Sequence, residues 1–289
     1  MPEPAPDVVV HRLAVCGSTQ EEARRLRGTG AGAPFAVATR EQVRGRGRLD
    51  RVWVTPPGGG IALTLAHRCA APLEERSWYP LVAGLAVIDA IGEILGSPVA
   101  AQVGLKWPND VLGADGRKLA GILMEADGPD HLLIGVGMNV VGPVRTGAGE
   151  EVPTAAWLIG PDGIAGDAPG VSGDPSVTVR RLEDALARNL EAQLSRLDAT
   201  RGDAVAAGMR ERYAMRCVTL GAAVRVEPLV ESGAHEVRIG RAAAVDAQGR
   251  LVLEGDRGER TAIGTGEVRR VRPADAQALH HPRPQEEES

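Results

Sequence analysis

The 289-residue chain carries 33 Lys plus Arg against 38 Asp plus Glu, a net charge of −5, and is 43% hydrophobic but only 2% aromatic. That describes a soluble globular protein of one large domain, or one large and one small, with a core of Val, Leu, Ile and Ala. It excludes nucleic-acid binding over the whole surface, though not at a local basic patch; the longest apolar run, Leu81 to Ile88, is far short of the ~20 residues of a membrane helix, and the Pro-rich, acidic start, Met1 to Asp7, has no secretory-signal pattern.

Val8 to Val15, β-branched and apolar, reads as a strand. Ser18 with Glu21 three residues on is a capping-box signature, which predicts a helix to about Leu26. A turn over Gly28 to Pro34 leads to a second strand, Phe35 to Thr39, and then to a basic, glycine-broken loop, Arg40 to Arg51. Gly60 to His67 is a strand, opened by the flexible Pro56-Pro57-Gly58-Gly59-Gly60. Leu81, Leu85, Ile88 and Ile91, at helical spacing, predict a long buried helix over Trp78 to Leu95. Val103 to Trp107, Lys118 to Ala126 and His131 to Val140 read as strands, the last two joined by a hairpin turn at Asp127-Gly128-Pro129-Asp130.

Gly142 to Pro175 is rich in Gly, Pro and acidic residues, and reads as a partly mobile loop with one short helix at Ala155 to Ile159. An amphipathic helix follows over Val179 to Leu197, with Leu182, Leu186, Leu190, Leu194 and Leu197 on one face. The helical pattern resumes over Asp203 to Tyr213. From Val218 to Val271 the apolar residues alternate and glycines punctuate, which predicts a small β-barrel and a second domain. The polar stretch Pro273 to Ser289 reads as disordered. Cys16, Cys69 and Cys217 are odd in number and widely spaced, as in a reduced, cytoplasmic protein without a disulfide framework or zinc site.

Four segments could carry chemistry. Gln42 to Trp53 contains Gly45-Arg46-Gly47-Arg48, and Arg40 to Arg51 has a local charge of +3 in an acidic protein. Glycines let a ligand approach the backbone and arginines neutralise phosphate, so this loop is expected to order around an anion. Taken alone, it also reads as an Arg-Gly stretch that touches RNA or is merely solvated. In Lys106-Trp107-Pro108-Asn109-Asp110, Pro108 ends the strand and leaves Asn109 and Asp110 where oxygen ligands for Mg²⁺ are often placed, or simply as turn residues. Lys118 opens a small, apolar strand, Leu119-Ala120-Gly121-Ile122-Leu123, where an ammonium either faces an anion or snorkels to water. Gly135-Val136-Gly137-Met138-Asn139 leaves a strand face open for a flat group, with Asn139 able to read an amide or adenine edge, or else marks a bulge. Lys106 and Lys118 are the only lysines in a chain that otherwise uses arginine. A site shaped for a compact ammonium rejects a planar guanidinium.

Together with Ser18-Thr19-Gln20, these segments, in this order and spacing, resemble the biotin protein ligase family from Val8 to Val271. The resemblance implies an α+β fold. It would comprise a mixed β-sheet catalytic domain of the class II aminoacyl-tRNA synthetase and biotin ligase type at 8–216, a small C-terminal SH3-like β-barrel at 217–272, and a disordered tail at 273–289. It implies ATP and biotin as substrates with Mg²⁺, formation of biotinyl-5'-AMP, and transfer of biotin to a lysine of a biotin carboxyl carrier protein domain of acetyl-CoA or acyl-CoA carboxylase.

On this resemblance Lys118, Arg48, Lys106 and Asp110 are catalytic, with Asp110 on the Mg²⁺ side. Biotin would be held by Ser18, Thr19, Gln20, Gln42, Arg46, Gly47, Arg48, Lys118 and Gly121, and the nucleotide by Arg46, Arg48, Trp53, Asn109, Lys118 and Asn139. Asp50 departs from the family, which has glycine there. The chain opens on the catalytic strand without the helix-turn-helix of bifunctional members. A cytoplasmic monomer or weak homodimer is therefore expected, with no DNA or membrane partner. A lipoate or octanoyl ligase would share the fold, but those families lack this Gly-Arg-Gly-Arg loop with Lys-Trp-Pro-Asn-Asp. A nucleic-acid-binding protein would need clustered aromatics that the β-segment does not have. Biotin-dependent pyrophosphate release from ATP separates all three.

Overall fold

The structure, a computed structural model, describes residues 8–48, 51–146, 148–227, 237–264 and 266–270. The first part of the chain forms strands β1 (Val9–Leu13), β2 (Phe35–Thr39), β3 (Gln42–Arg46), β4 (Val52–Thr55), β5 (Gly60–Arg68), β6 (Val103–Lys106), β7 (Asp110–Gly113), β8 (Lys118–Ala126) and β9 (His131–Asn139). Helices α1 (Thr19–Gly28), α2 (Tyr79–Leu95) and α3 (Ser97–Ala100) lie between them. Helices α4 (Pro175–Asp198) and α5 (Met209–Arg216) then lead to β10 (Ala223–Glu227), β11 (Arg238–Val245), β12 (Leu251–Glu254), β13 (Arg260–Ile263) and β14 (Glu267–Arg270).

Seven strands make one mixed sheet in the order β1-β2-β5-β9-β8-β7-β6, parallel between β1 and β2 and antiparallel elsewhere. The central strands are covered on both faces, which explains their near-continuous apolar sequence. On one face Ile61, Leu63, Leu65, Ile134, Val136 and Met138 pack into the main core with α2 and α4. On the other, Phe35, Val37, Ala66 and Leu133 pack around Ala23 of α1. The five leucines predicted on one face of α4 are all fully buried. The segment Leu73–Leu95 is long and apolar enough to cross a membrane by composition alone, yet most of it is buried inside this core. The three cysteines are buried and unbonded.

One polar cluster crosses the core. His67 of β5 sits between Glu191 (Nδ1 to Oε2, 2.9 Å) and Asp198 (Nε2 to Oδ2, 2.7 Å) of α4. Asp198 also accepts from the Ala70 amide and the Tyr79 hydroxyl. Burial works to lower the His67 pKa, but the two carboxylates outweigh it and raise it to about 9.

The structure corrects several expectations. Ser18 is the N-cap of α1, but its side chain makes no capping bond. The expected loop Arg40 to Arg51 contains β3, which pairs with β4 as an antiparallel ribbon; Asp50 lies outside the described residues. Asp110 does not close a strand but opens β7, so β6 and β7 form a hairpin with Lys106 opposite Asp110. Ala155 to Ile159 is not helical. It runs extended and bridges Lys118 and Val141, with all five residues buried. Five apolar residues between Gly- and Pro-rich flanks are too few for a stable helix and bury better against an existing sheet. Gly142 makes this possible, since a Cβ there would stand 2.1 Å from the Trp157 ring. Helix is confined to Met209–Arg216 in the 203–216 region, because Asp203 caps a turn by accepting from the amides of Val205 and Ala206.

The C-terminal strands form an antiparallel sheet in the order β13-β12-β11-β10-β14. Among the described residues this sheet is open, with no hydrogen bonding between β13 and β14, rather than a closed barrel. The stretch 273–289 lies outside the described residues. The second sheet shares its core with the first. Trp107 reaches across, its indole N–H donating to Gly249 O at 2.9 Å and its amide N–H donating to Thr219 Oγ1 at 3.0 Å. Trp78 donates to Ala247 O at 2.8 Å.

Candidate active site

A cleft opens on the α1 face of the large sheet. Its floor follows from strand register. Cross-strand rows Ala62–Gly137–Gly121–Asp110 and Thr64–Gly135–Leu123 put small residues on the cleft side, while their neighbours Ile134, Val136 and Met138 point into the core. The walls are the start of α1, the β3–β4 ribbon, the β6–β7 turn and residues 266–268 of the second sheet.

The expected flat group is, over Gly137, the chain's own Trp53. A Cβ at Gly137 would stand 2.3 Å from the indole nitrogen. Gly135 makes the same allowance for Gln20, whose Nε2 lies 2.8 Å from the position a Cβ would take. That Nε2 donates to Leu123 O at 2.8 Å, so the amide orientation is fixed. Among the described residues its Oε1 is buried without a hydrogen-bond partner.

At this end of the cleft the polar groups are nearly all buried. Gln42 Oε1 accepts from the Thr19 amide (2.9 Å) and the Thr19 hydroxyl (3.2 Å), and Thr19 Oγ1 lies 2.8 Å from Thr64 Oγ1. Ser18 is buried beside them. Gly45 is required here, because a Cβ would fall 2.0 Å from Gln42 Nε2 and 2.2 Å from Trp53 O.

At the other end the two lysines meet on one carboxylate. Lys118 Nζ is 2.6 Å from Asp110 Oδ1, and Lys106 Nζ is 3.6 Å from Asp110 Oδ2. Lys118 folds back over Gly121, where a Cβ would stand 3.1 Å from Nζ, and its ammonium lies 5.5 Å from the Trp53 ring centroid. Its backbone is held on both sides: the amide donates to Thr154 O, and the carbonyl accepts from Ala156 N, both at 2.8 Å.

The ribbon arginines diverge. Arg48 donates to Asn109 Oδ1 at 2.9 Å and reaches Gly266 O at 3.5 Å; burial lowers its pKa from the usual guanidinium value, against the pull of Asp110 and Glu267. Asn109 is itself fixed by donating to Ile122 O at 2.9 Å. Arg46 lines the cleft but pairs outward with Glu125 at 3.2 Å, and Gly47 closes the ribbon by donating to Arg51 O at 2.6 Å. Arg51 pairs with Glu267 of the second sheet.

Ser18, Thr19, Gln20, Gln42, Arg46, Gly47, Arg48, Trp53, Lys106, Asn109, Asp110, Lys118 and Gly121 therefore line one cleft. Asn139 stands outside the lining, its amide donating to Ala156 O at 3.0 Å and Lys118 O at 3.3 Å. As a Mg²⁺ ligand Asp110 fits poorly: both its oxygens face ammonium groups, and no group of three or more acidic, His or Cys side chains able to hold a metal ion occurs among the described residues. Cys16 offers no nucleophile, because burial raises its thiol to about 11. Sequence reasoning missed Thr64, Glu125 and Glu267. Only Thr64 left a signal, as a lone hydroxyl inside the apolar run Ile61 to Ala66.

The slot has polar groups at one end and a lysine and an arginine at the other, a charge pattern that suits anionic reactants. A family model described as the biotin/lipoate A/B protein ligase family matches residues 14–139. The biotin–[acetyl-CoA-carboxylase] ligase of Mycobacterium tuberculosis is 36% identical over 265 residues, covering 90% of this chain and 88% of that relative. Its namesake in Paracoccus denitrificans is 35% identical over 260 residues, covering 89% and 98%. The chain belongs to the biotin protein ligase family. Among solved structures, the biotin protein ligase of Aquifex aeolicus in complex with biotin and ATP has a similar fold, with a TM-score of 0.67 at 23% identity, covering 91% of this chain and 99% of that one. The Leishmania major enzyme in complex with biotinyl-5-AMP gives a TM-score of 0.57 at 26% identity, covering 88% and 98%.

Proposed function

We propose that this protein is an ATP-dependent biotin protein ligase that makes biotinyl-5'-AMP and passes the biotinyl group to a lysine of a carrier domain. The observation that carries this is the polar end of the slot. Gln20 Oε1, Gln42, Thr19 and Ser18 suit a head group with N–H donors, such as the ureido ring of biotin. A lipoyl dithiolane or an octanoyl chain would leave Gln20 Oε1 buried without a partner, which costs far more than a lost apolar contact.

In the first step a biotin carboxylate oxygen attacks the α-phosphorus of ATP, forming the mixed anhydride and breaking the bond to pyrophosphate. Two anions must approach, so preorganised positive charge does the work. Lys118 would exchange Asp110 for the carboxylate and phosphate oxygens, and Lys106 would keep Asp110 neutralised meanwhile. Arg48, already braced by Asn109, would face the phosphate, with Arg46 and the Gly47 backbone closing the ribbon over it. Trp53 would belong to the nucleotide side, and Asn139 would support it from outside the cleft by holding the Lys118 carbonyl. In the second step the neutral amine of a carrier lysine attacks the acyl carbon, forms the amide and releases AMP.

The catalytic part is read as 8–216 and the second sheet, as an SH3-like unit, as 217–272. The antiparallel order of short strands supports that reading. A carrier domain of acetyl-CoA carboxylase is the proposed acceptor, in a reducing, cytoplasmic setting that suits three buried free thiols. The test is incubation with a biotin carboxyl carrier domain. Labelling of one carrier lysine is expected only with both ATP and biotin present, and labelling with lipoate in place of biotin would favour the other branch of the family.

A further inference from the structure

We propose that Thr64 is a positioning residue for biotin recognition: its hydroxyl proton fixes the hydrogen-bond polarity of Thr19, so that the buried end of the slot presents acceptors to the ligand. This rests on biotin being the substrate.

The proton order follows from three contacts. The Thr19 amide is a donor, so the Gln42 atom 2.9 Å away must be its oxygen and not its NH₂. That oxygen only accepts, so the Thr19 hydroxyl at 3.2 Å gives its one proton to Gln42. The 2.8 Å contact between Thr19 Oγ1 and Thr64 Oγ1 then requires the proton of Thr64. The relay runs Thr64 to Thr19 to Gln42, and both hydroxyl protons are spent within the protein. Thr64 is fully buried and Thr19 is 4% exposed, so water cannot reverse this order cheaply.

Thr64 is fully buried and acts through Thr19, whose hydroxyl keeps only acceptor capacity toward the cleft. Beside it, Gln20 Oε1 is held as an acceptor because Gln20 Nε2 is committed to Leu123 O. Thr64 and Gln20 flank the same residue: Thr64 is the cross-strand partner of Gly135, and Gln20 lies over it. Such a wall selects for N–H groups and rejects a head group that brings only acceptors or only carbon.

The test uses the full chain and compares Thr64→Val, which keeps the shape and removes the hydroxyl, with Thr64→Ser, which keeps the hydroxyl and removes a methyl. Biotin affinity is read by calorimetry, and KM for biotin and for ATP by biotin-dependent ATP–pyrophosphate exchange. T64V is expected to weaken biotin about tenfold and to leave the KM for ATP within about twofold, while T64S binds biotin within about twofold of the unaltered protein. Should T64V not fold, Thr64→Ala takes its place as the hydroxyl-free variant. A role in packing alone reverses the order, with T64V normal and T64S impaired; that result, or equal binding by both, overturns the proposal. If the unaltered protein shows no biotin-dependent exchange at all, biotin itself is the wrong substrate, an outcome distinct from failure of the relay.

Discussion

At the scale of single residues, the two lysines explain each other. Asp110 holds Lys118 in place, and Lys106 shares that carboxylate from across the β6–β7 hairpin; in the proposed reaction Lys118 would leave it to bridge the two substrate anions. The ammonium occupies a narrow space between the bare backbone of Gly121 and the Trp53 ring. A guanidinium is wider and planar, so Lys118→Arg should lose pyrophosphate exchange by about a hundredfold or more, nearly as much as Lys118→Ala. Its melting temperature should stay close to that of the unaltered protein. Near-normal exchange by K118R would remove Lys118 from the reacting centre. This site was legible in the sequence where a residue type carries the chemistry, as with two lysines in an arginine-rich chain. Glu125 and Glu267 were not, because they reach Arg46 and Arg51 only through the folded topology and nothing local marks them.

At the scale of elements, the long helices were readable because α2 and α4 repeat apolar residues at helical spacing over several turns. The β3–β4 ribbon was not. Arg and Gly have little strand preference, and the ribbon exists because it lies over the cleft with Trp53 seated on Gly137. The same limit applies to Ala155 to Ile159, whose extended form is imposed by Lys118 and Val140 on the neighbouring sheet.

Between β5 and α4, His67 makes a tie that depends on protonation. Its pKa is raised from about 6.5 in an unfolded chain to about 9 in the fold. The stabilisation is therefore complete below pH ~6.5 and disappears as pH rises through ~9. Denaturant midpoints should fall across that window. His67→Gln should cost about 3 kcal/mol near neutral pH by leaving two buried carboxylates uncompensated, and it should flatten that stretch of the profile. A midpoint independent of pH from 6.5 to 9 in the unaltered protein would show that His67 is neutral in the fold.

At the scale of the whole molecule, the two sheets are less separable than the alternating pattern after Val218 suggests. The pattern marks the strands correctly, but it does not show that Trp107 and Trp78 dock on the Asp246–Arg250 turn, or that residues 266–268 complete the cleft. Ending the chain near Thr219 should expose both indoles, shift tryptophan emission to the red and lower the urea midpoint, besides impairing adenylation. Unchanged emission and midpoint would make the second sheet an independent appendage. The most direct measurement of what the cleft does is exchange of labelled pyrophosphate into ATP by the full-length protein. Exchange is expected when biotin is present and absent with lipoate, with octanoate or without any acid. Exchange that proceeds equally with lipoate, or that biotin fails to induce, would contradict biotin activation at this site.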